Sequence, residues 1–169
     1  MAAAGITVLG VDPGLGATGY GVVTMTGRAA AGIEHGCIRP SRRLALADRL
    51  LTIYEAMYEL VRRHQPAAMA IEDPFIGENA RSALALGRAQ AVVMLAAASG
   101  GVPVLTYSPA TVKDAVTGYG RSDKQQVAEM VRMQLGMTHA PEPLDAADAL
   151  AVALCHLAHA ARPALRELT

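Results

Sequence analysis

Apolar residues along this chain follow two spacings, which together predict ten secondary-structure elements. Short apolar runs bounded by Gly, Pro or charged residues predict strands at residues 6–11, 20–25, 31–38, 67–72 and 102–107. Apolar residues that recur at helical spacing predict helices at about residues 42–64, 80–99, 110–116, 123–135 and 145–161. The second helix is apolar almost all round, so we expect it to be covered on more than one side.

The order of these elements indicates the fold class. The first three strands are joined by short glycine-containing turns and predict an antiparallel meander. The last two strands alternate with helices, which is typical of parallel strands joined by helical crossovers. We therefore expect an α/β protein with a five-stranded mixed sheet and helices on both faces. This order is similar to that of the ribonuclease H-like fold.

Composition limits the class of protein. With 169 residues, 52% of them hydrophobic and 18% charged, the chain is predicted to form a single globular domain over residues 1–169, with an ordered core at about 5–161. Fifteen basic and 15 acidic residues argue against a uniformly basic surface but allow a local basic patch. The two cysteines provide no disulfide framework, and the longest unbroken apolar run, residues 91–98, is too short for a membrane span. We expect a cytoplasmic protein.

Residues 14–19 read GLGATG and match the GxGxxG pattern of dinucleotide-binding loops. In that class of protein the glycines open a helix, and an acidic residue follows about 20 positions later. Here the glycines precede a predicted strand, and Arg39 and Pro40 occupy the later positions. We therefore interpret the segment as a tight hairpin whose small residues leave space for a backbone or a phosphate beside Asp12.

Four carboxylates stand where predicted elements end or begin, and we name them the acidic tetrad: Asp12, Glu72, Asp145 and Asp148. Asp12 ends the first strand and Glu72 ends the fourth, while the other two share one face of the last helix. If the first and fourth strands are neighbours, all four groups can meet. Clustered carboxylates repel one another unless hard divalent cations bind them through oxygen. The pattern favours a two-metal site of the kind that hydrolyses phosphodiesters.

Each acid also has an ordinary structural interpretation. Asp145 at the start of a helix is typical of an N-cap, with Asp148 as its partner in the first turn. The other two acids precede prolines in segments that are typical of turns. A further cluster on the last helix does not follow zinc-ligand spacing and is interpreted as core or surface residues: Cys155, His156 and His159.

Three segments together resemble a known family: residues 10–23 (GVDPGLGATGYGVV), residues 70–90 with AIEDPF and ENARSALALGRAQ, and residues 145–156 (DAADALAVALCH). The chain resembles the RuvC family of bacterial Holliday junction resolvases over essentially its whole length. The resemblance implies a homodimeric, Mg²⁺-dependent endonuclease of recombination and DNA repair. It also implies that two symmetric strands of a four-way DNA junction are cut to 5′-phosphate and 3′-hydroxyl ends, with the RuvA–RuvB branch-migration complex as a partner.

The resemblance assigns roles to individual residues. The acidic tetrad matches the metal-binding acids of the family, which implies about two Mg²⁺ ions per subunit, with Mn²⁺ as a substitute. Lys124, with a catalytic role, and Lys113 match lysines near the scissile phosphate and the DNA backbone. Phe75, the single phenylalanine of the chain, matches an aromatic side chain that stacks on a base. Arg81 and Arg88 are expected to contact phosphates.

Other interpretations stay open at this point. Without the resemblance, the two lysines are typical of a solvated surface, and Phe75 is typical of a hydrophobic anchor. The chain could be another ribonuclease H-like nuclease that acts on RNA or duplex, or a non-catalytic junction-binding protein. A nucleotide-binding module of the actin or sugar-kinase type needs a much longer chain. The resemblance also explains the apolar second helix, because one of its flanks can pack on a twofold-related copy.

Overall fold

The computed structural model describes residues 5–73 and 79–161, which contain one five-stranded sheet. The strands are β1 (Ile6–Asp12), β2 (Thr18–Thr26), β3 (Ala29–Ile38), β4 (Ala68–Glu72) and β5 (Val104–Tyr107). Their order across the sheet is β3-β2-β1-β4-β5. The pairs β1–β2 and β2–β3 are antiparallel, and the pairs β1–β4 and β4–β5 are parallel. The prediction of a mixed sheet is confirmed.

Helices cover both faces of this sheet: α1 (Leu46–His64), α2 (Ala80–Ser99), α3 (Pro109–Thr117), α4 (Lys124–Gln134) and α5 (Leu144–Ala160). One hydrophobic core lies between the sheet and α3, α4 and α5, and it includes Val8 and Leu150. The other lies between the sheet and α1 and α2, and it includes Leu9 and Ile53. Neighbouring residues of β1 therefore enter opposite cores, which explains why this strand is apolar without alternation.

The first helix begins later than its predicted start at Arg42. Ser41 closes a turn instead, because its Oγ accepts a hydrogen bond from the N–H of Arg43 at 3.3 Å and its carbonyl accepts one from Leu44 at 3.2 Å. Ala45 is the extended N-cap residue, and α1 starts at Leu46. The prediction was wrong because a serine side chain can satisfy a turn as well as a helix N-terminus.

Three glycines allow α5 to lie directly on β1 and β2. A Cβ atom at Gly10 would meet the carbonyl oxygen of Ala149, and one at Gly19 would meet the carbonyl oxygen of Asp145. Gly21 also faces α5, at the next position on the same face of β2. Glycine is needed at these positions for close approach of two backbones. The contact fixes how the first turn of α5 sits over the end of the sheet.

Among the described residues, α2 is covered on one side, whereas its sequence pattern predicted cover on more than one. Its buried residues are Ala89, Val93, Ala96 and Ala97. By contrast, Leu84 and Leu95 are 55% and 57% exposed. Leu95 borders an apolar groove between α1 and α2 whose other lining residues include Leu51 and Tyr54. By length and composition alone, α2 is long and apolar enough to cross a membrane, a test that core helices of soluble proteins also pass. No other helix within the described ranges passes it.

Candidate metal and nucleic-acid site

Asp12 and Glu72 lie side by side where β1 and β4 end. The two strands are parallel neighbours, and Val11 is paired with Ile71 in their register. Each acid follows its paired residue by one position, so both carboxylates leave the sheet at the same end. The condition set by the sequence analysis, that the first and fourth strands are neighbours, is met.

The start of α5 supplies the other two acids. Pro143, with an extended backbone and no side-chain cap, occupies the N-cap position of α5. Asp145 therefore lies inside the first turn, and its interpretation as an N-cap is wrong. Its carboxylate contacts other side chains, and Asp148 follows one turn later with 15% of its side chain exposed.

Electrostatic coupling shows that the acidic tetrad is one cluster. Burial, followed by the negative charges of Glu72, Asp148 and Asp145, raises the pKa of Asp12 from 3.8 to about 7. Burial and the charge of Asp148 also raise the pKa of Glu72. Lys124 acts in the opposite direction on both groups. The ends of β1 and β4 and the start of α5 thus bring four carboxylates together. Their mutual repulsion is unfavourable without a compensating cation.

Two basic side chains compensate part of this charge. The Lys124 ammonium group lies 2.7 Å from Oδ2 of Asp148, and a guanidinium nitrogen of Arg39 lies 3.2 Å from Oδ2 of Asp145. The Cys37 thiol lies 3.7 Å from the same Oδ2 of Asp145. Burial and the Asp145 charge raise the pKa of Cys37, so the thiol stays protonated and donates this contact.

A cleft of about 140 Å³ opens beside the tetrad and is lined by Glu72, Asp148, Lys113 and Lys124, with apolar side chains behind them. Lys113 belongs to α3 and Lys124 begins α4, so two helices bring the two lysines to the acids. The positive charge of Lys113 lowers the pKa of Glu72, against the larger effect of burial. A larger cavity of about 630 Å³ lies between α4 and the loop before α5 and contains no member of the tetrad.

The donor atoms of this cluster fit a hard divalent cation. All four members of the acidic tetrad offer carboxylate oxygen, which Mg²⁺ and Mn²⁺ prefer. The raised pKa of Asp12 reflects an electrostatic cost that such a cation removes. Across residues 5–73 and 79–161, no three Asp, Glu, His or Cys side chains are arranged to hold a metal ion as they stand. Arg39 and Lys124 each engage one carboxylate oxygen of the two α5 acids.

The glycine-containing loop after β1 is held from two sides. The fully buried Thr18 donates a hydrogen bond to the Gly14 carbonyl at 2.7 Å and accepts one from the Gly14 N–H at 3.3 Å. Arg49 of α1 donates to the Leu15 carbonyl at 2.9 Å. β2 starts at Thr18, so the glycines open a strand, and the rejection of a dinucleotide-binding loop stands.

The remaining predicted DNA contacts are placed in part. Phe75 lies outside the described residues. Arg81 and Arg88 are exposed on α2. Gln90 on the same helix donates a hydrogen bond of 3.2 Å to Asp73, the residue after Glu72. The helix that carries the two arginines is therefore tied to the end of β4, and their contact with DNA stays a prediction.

The Cys–His cluster on α5 makes contacts expected of structural residues. Nδ1 of His156 lies 2.8 Å from the Tyr107 hydroxyl, and Nδ1 of His159 lies 2.8 Å from the carbonyl oxygen of Cys155. Burial raises the pKa of the Cys155 thiol to about 11. Burial, followed by the charge of His159, lowers the pKa of His156.

Replacing His156 by Gln should change how stability depends on pH. Because the pKa of His156 is lowered in the folded state, its stabilising contribution is present above the unfolded pKa of about 6.5 and is lost as pH falls through the folded value. We expect the Tm difference between wild type and His156→Gln to be largest above pH 7 and to shrink towards pH 5. The exposed His139→Gln is the control, and parallel Tm curves for wild type and His156→Gln would contradict this assignment.

Two residues of the site were missed from the sequence. Cys37 and Arg39 reach Asp145, although more than a hundred residues separate them in the chain. The antiparallel pairing of β1, β2 and β3 indicates their position, because Gly19 pairs with both Asp12 and Cys37. Following the antiparallel register would have placed the end of β3 at the tetrad.

Comparison with known proteins gives the same result over most of the chain. The family model described as "Crossover junction endodeoxyribonuclease RuvC" matches residues 8–156. A protein of that name from Desulforamulus reducens is 45% identical over 149 residues, covering 88% of this chain and 91% of the relative. Another from Pelotomaculum thermopropionicum is 46% identical over 152 residues, covering 90% and 93%.

Solved structures agree. T. thermophilus RuvC in complex with a Holliday junction substrate matches with a TM-score of 0.88 and 36% identity, covering 92% of this chain and 94% of that one. The yeast mitochondrial Holliday junction resolvase matches with a TM-score of 0.62 at 14% identity, over 89% of this chain and 78% of that one, and this likeness shows the fold alone. On the family match and these relatives, the chain belongs to the RuvC family of crossover junction endodeoxyribonucleases.

Proposed function

We propose that this protein resolves four-way DNA junctions by two symmetric, metal-dependent phosphodiester hydrolyses. The observation that carries the proposal is the acidic tetrad with Lys113 and Lys124 beside it, in a chain that belongs to the RuvC family. Clustered carboxylates suit the binding of metal ions that act on a phosphodiester. The two lysine ammonium groups beside them suit its negative charge. The biological setting is recombination and DNA repair in the cytoplasm.

In this proposal each group has a defined task. The acidic tetrad holds Mg²⁺, and it disfavours softer metals because every donor is oxygen. When bound, two such ions supply an activated water and stabilise the leaving oxygen. Lys124 starts α4 at the mouth of the cleft and is 61% exposed, which suits contact with the scissile phosphate. Lys113 lies across the cleft and suits the neighbouring backbone.

A homodimer is the second part of the proposal. A four-way junction presents two equivalent strands, so two related sites allow paired cuts. The apolar groove between α1 and α2 and the exposed Leu84 and Leu95 offer a face for an isologous contact. The RuvA–RuvB complex would deliver the junction to such a dimer. Phe75, Arg81 and Arg88 are assigned to the DNA surface by the same resemblance.

The test is cutting of a labelled four-way junction in Mg²⁺, with Mn²⁺ as a second metal. We expect paired nicks at symmetric positions, with ends that a ligase can join. Linear duplex and an RNA–DNA hybrid of the same sequence are the controls. Equal cutting of a control would favour a general ribonuclease H-like nuclease, and binding without cutting in both metals would favour a non-catalytic junction-binding protein.

A further inference from the structure

Arg39 occupies an unusual place for a surface arginine. It follows β3, an edge strand of the sheet, yet its guanidinium lies 3.2 Å from Oδ2 of Asp145, a member of the acidic tetrad. The side chains are 57% and 34% exposed. An ion pair this exposed is weak, so it forms and opens at little cost.

The contact uses an oxygen that the proposed metal site needs. Oδ2 of Asp145 accepts from Arg39 and from the Cys37 thiol, so the two donors converge on one oxygen. Of the two, only the guanidinium carries a positive charge. A cation at this distance repels a divalent ion that approaches the same carboxylate. Lys124 on Asp148 differs, because it also lines the cleft beside Glu72 and has a proposed task on DNA.

We infer that Arg39 is a positioning residue that competes with the metal ion for Asp145 and is released when the ion binds. This inference rests on the proposed metal site. While no ion is bound, Arg39 contacts the Asp145 carboxylate and favours the orientation in which Oδ2 faces the guanidinium. Its positive charge also raises the metal concentration at which the site fills.

The test is Mn²⁺ binding to the full-length protein without DNA, measured by calorimetry and by the loss of the free-Mn²⁺ resonance signal. Arg39→Gln should bind Mn²⁺ about two- to fivefold more tightly than wild type, the range expected for loss of one exposed ion pair. Arg39→Lys keeps the charge and should stay near wild type. Arg28→Gln removes an exposed arginine from the distant β2–β3 turn and should change nothing.

A double-mutant cycle separates this contact from a general charge effect. In an Asp145→Asn background, Arg39→Gln should no longer alter Mn²⁺ affinity, because the shared carboxylate is gone. Unchanged or weaker binding by Arg39→Gln in the wild-type background would overturn the inference while leaving the metal site intact. Absence of Mn²⁺ binding by wild type would overturn the proposed metal site and the inference together.

Discussion

Replacing Asp12 by Asn is expected to abolish junction cutting and, at the same time, to stabilise the metal-free protein. Cutting should fall by about a thousandfold or more, because one carboxylate of the proposed metal site is lost. The stabilisation follows from electrostatics. In the folded state the pKa of Asp12 is raised to about 7. Above that pH the carboxylate is ionised although its buried, negatively charged surroundings disfavour the charge, and this lowers the stability of the folded state. Neutral Asn removes this cost. Each tenfold decrease in the acid dissociation constant of Asp12 on folding corresponds to about 1.4 kcal/mol.

The pH window follows from the sign of this change. For an acid whose folded pKa is raised, wild-type stability falls as pH rises from about 4 to about 7 and stays low above. The Tm of Asp12→Asn in EDTA should therefore exceed that of wild type by several degrees at pH 8, and the gap should narrow towards pH 4. Asp48→Asn, an exposed acid on α1, is the control and should cut normally. A lower Tm for Asp12→Asn at pH 8 would contradict the clustered charge.

Replacing Gly19 by Ala should displace the start of α5. The added methyl group would overlap the carbonyl oxygen of Asp145 and lie 3.1 Å from the Cβ of the same residue. A backbone carbonyl cannot rotate away as a side chain can, so the helix must shift. We expect a destabilisation of about 1–3 kcal/mol and a Tm lower by several degrees. Because Asp145 moves with the helix, Mn²⁺ affinity and cutting should fall as well, even at temperatures well below the Tm, where the variant is folded.

The matched control for this variant is Gly16→Ala. Gly16 lies in the loop that precedes β2, and no atom comes within 4 Å of a Cβ built there. Its backbone also needs no positive φ. Gly16→Ala should therefore be neutral or slightly stabilising, by up to about 1 kcal/mol. Equal Tm losses in Gly16→Ala and Gly19→Ala would show that close approach of α5 is not the cause.

Much of the fold followed from local pattern. The apolar runs and their glycine or proline boundaries were sufficient for the strands, and the order of strands and helices was sufficient for the mixed sheet. The sequence placed Asp12 and Glu72 at strand ends, but that they are neighbours depends on the pairing of β1 with β4, which the structure supplies. The start of α1 was not, since Ser41 serves a turn as readily as a helix.

Contacts between residues far apart in the sequence could not be predicted from local sequence patterns. Arg39 meets Asp145 only because β3 folds back beside β2 and α5 packs onto β2. The role of Gly19 likewise depends on which helix covers it. Neither the spacing around Arg39 nor that around Asp145 indicates that the two residues meet. Predicting the contact requires both the β2–β3 register and the packing of α5 on β2.

The position of each strand in the sheet has a consequence for hydrogen exchange. Asp12 ends β1, which has a hydrogen-bonded neighbour on both sides, whereas Arg39 follows β3 at the edge. Amide protons of β1 should therefore exchange only on extensive unfolding, while those on the outer side of β3 should exchange through small local openings. We therefore expect Asp12 and Glu72 to stand on the slowest-exchanging part of the sheet, and Arg39 to extend from a part that opens more readily.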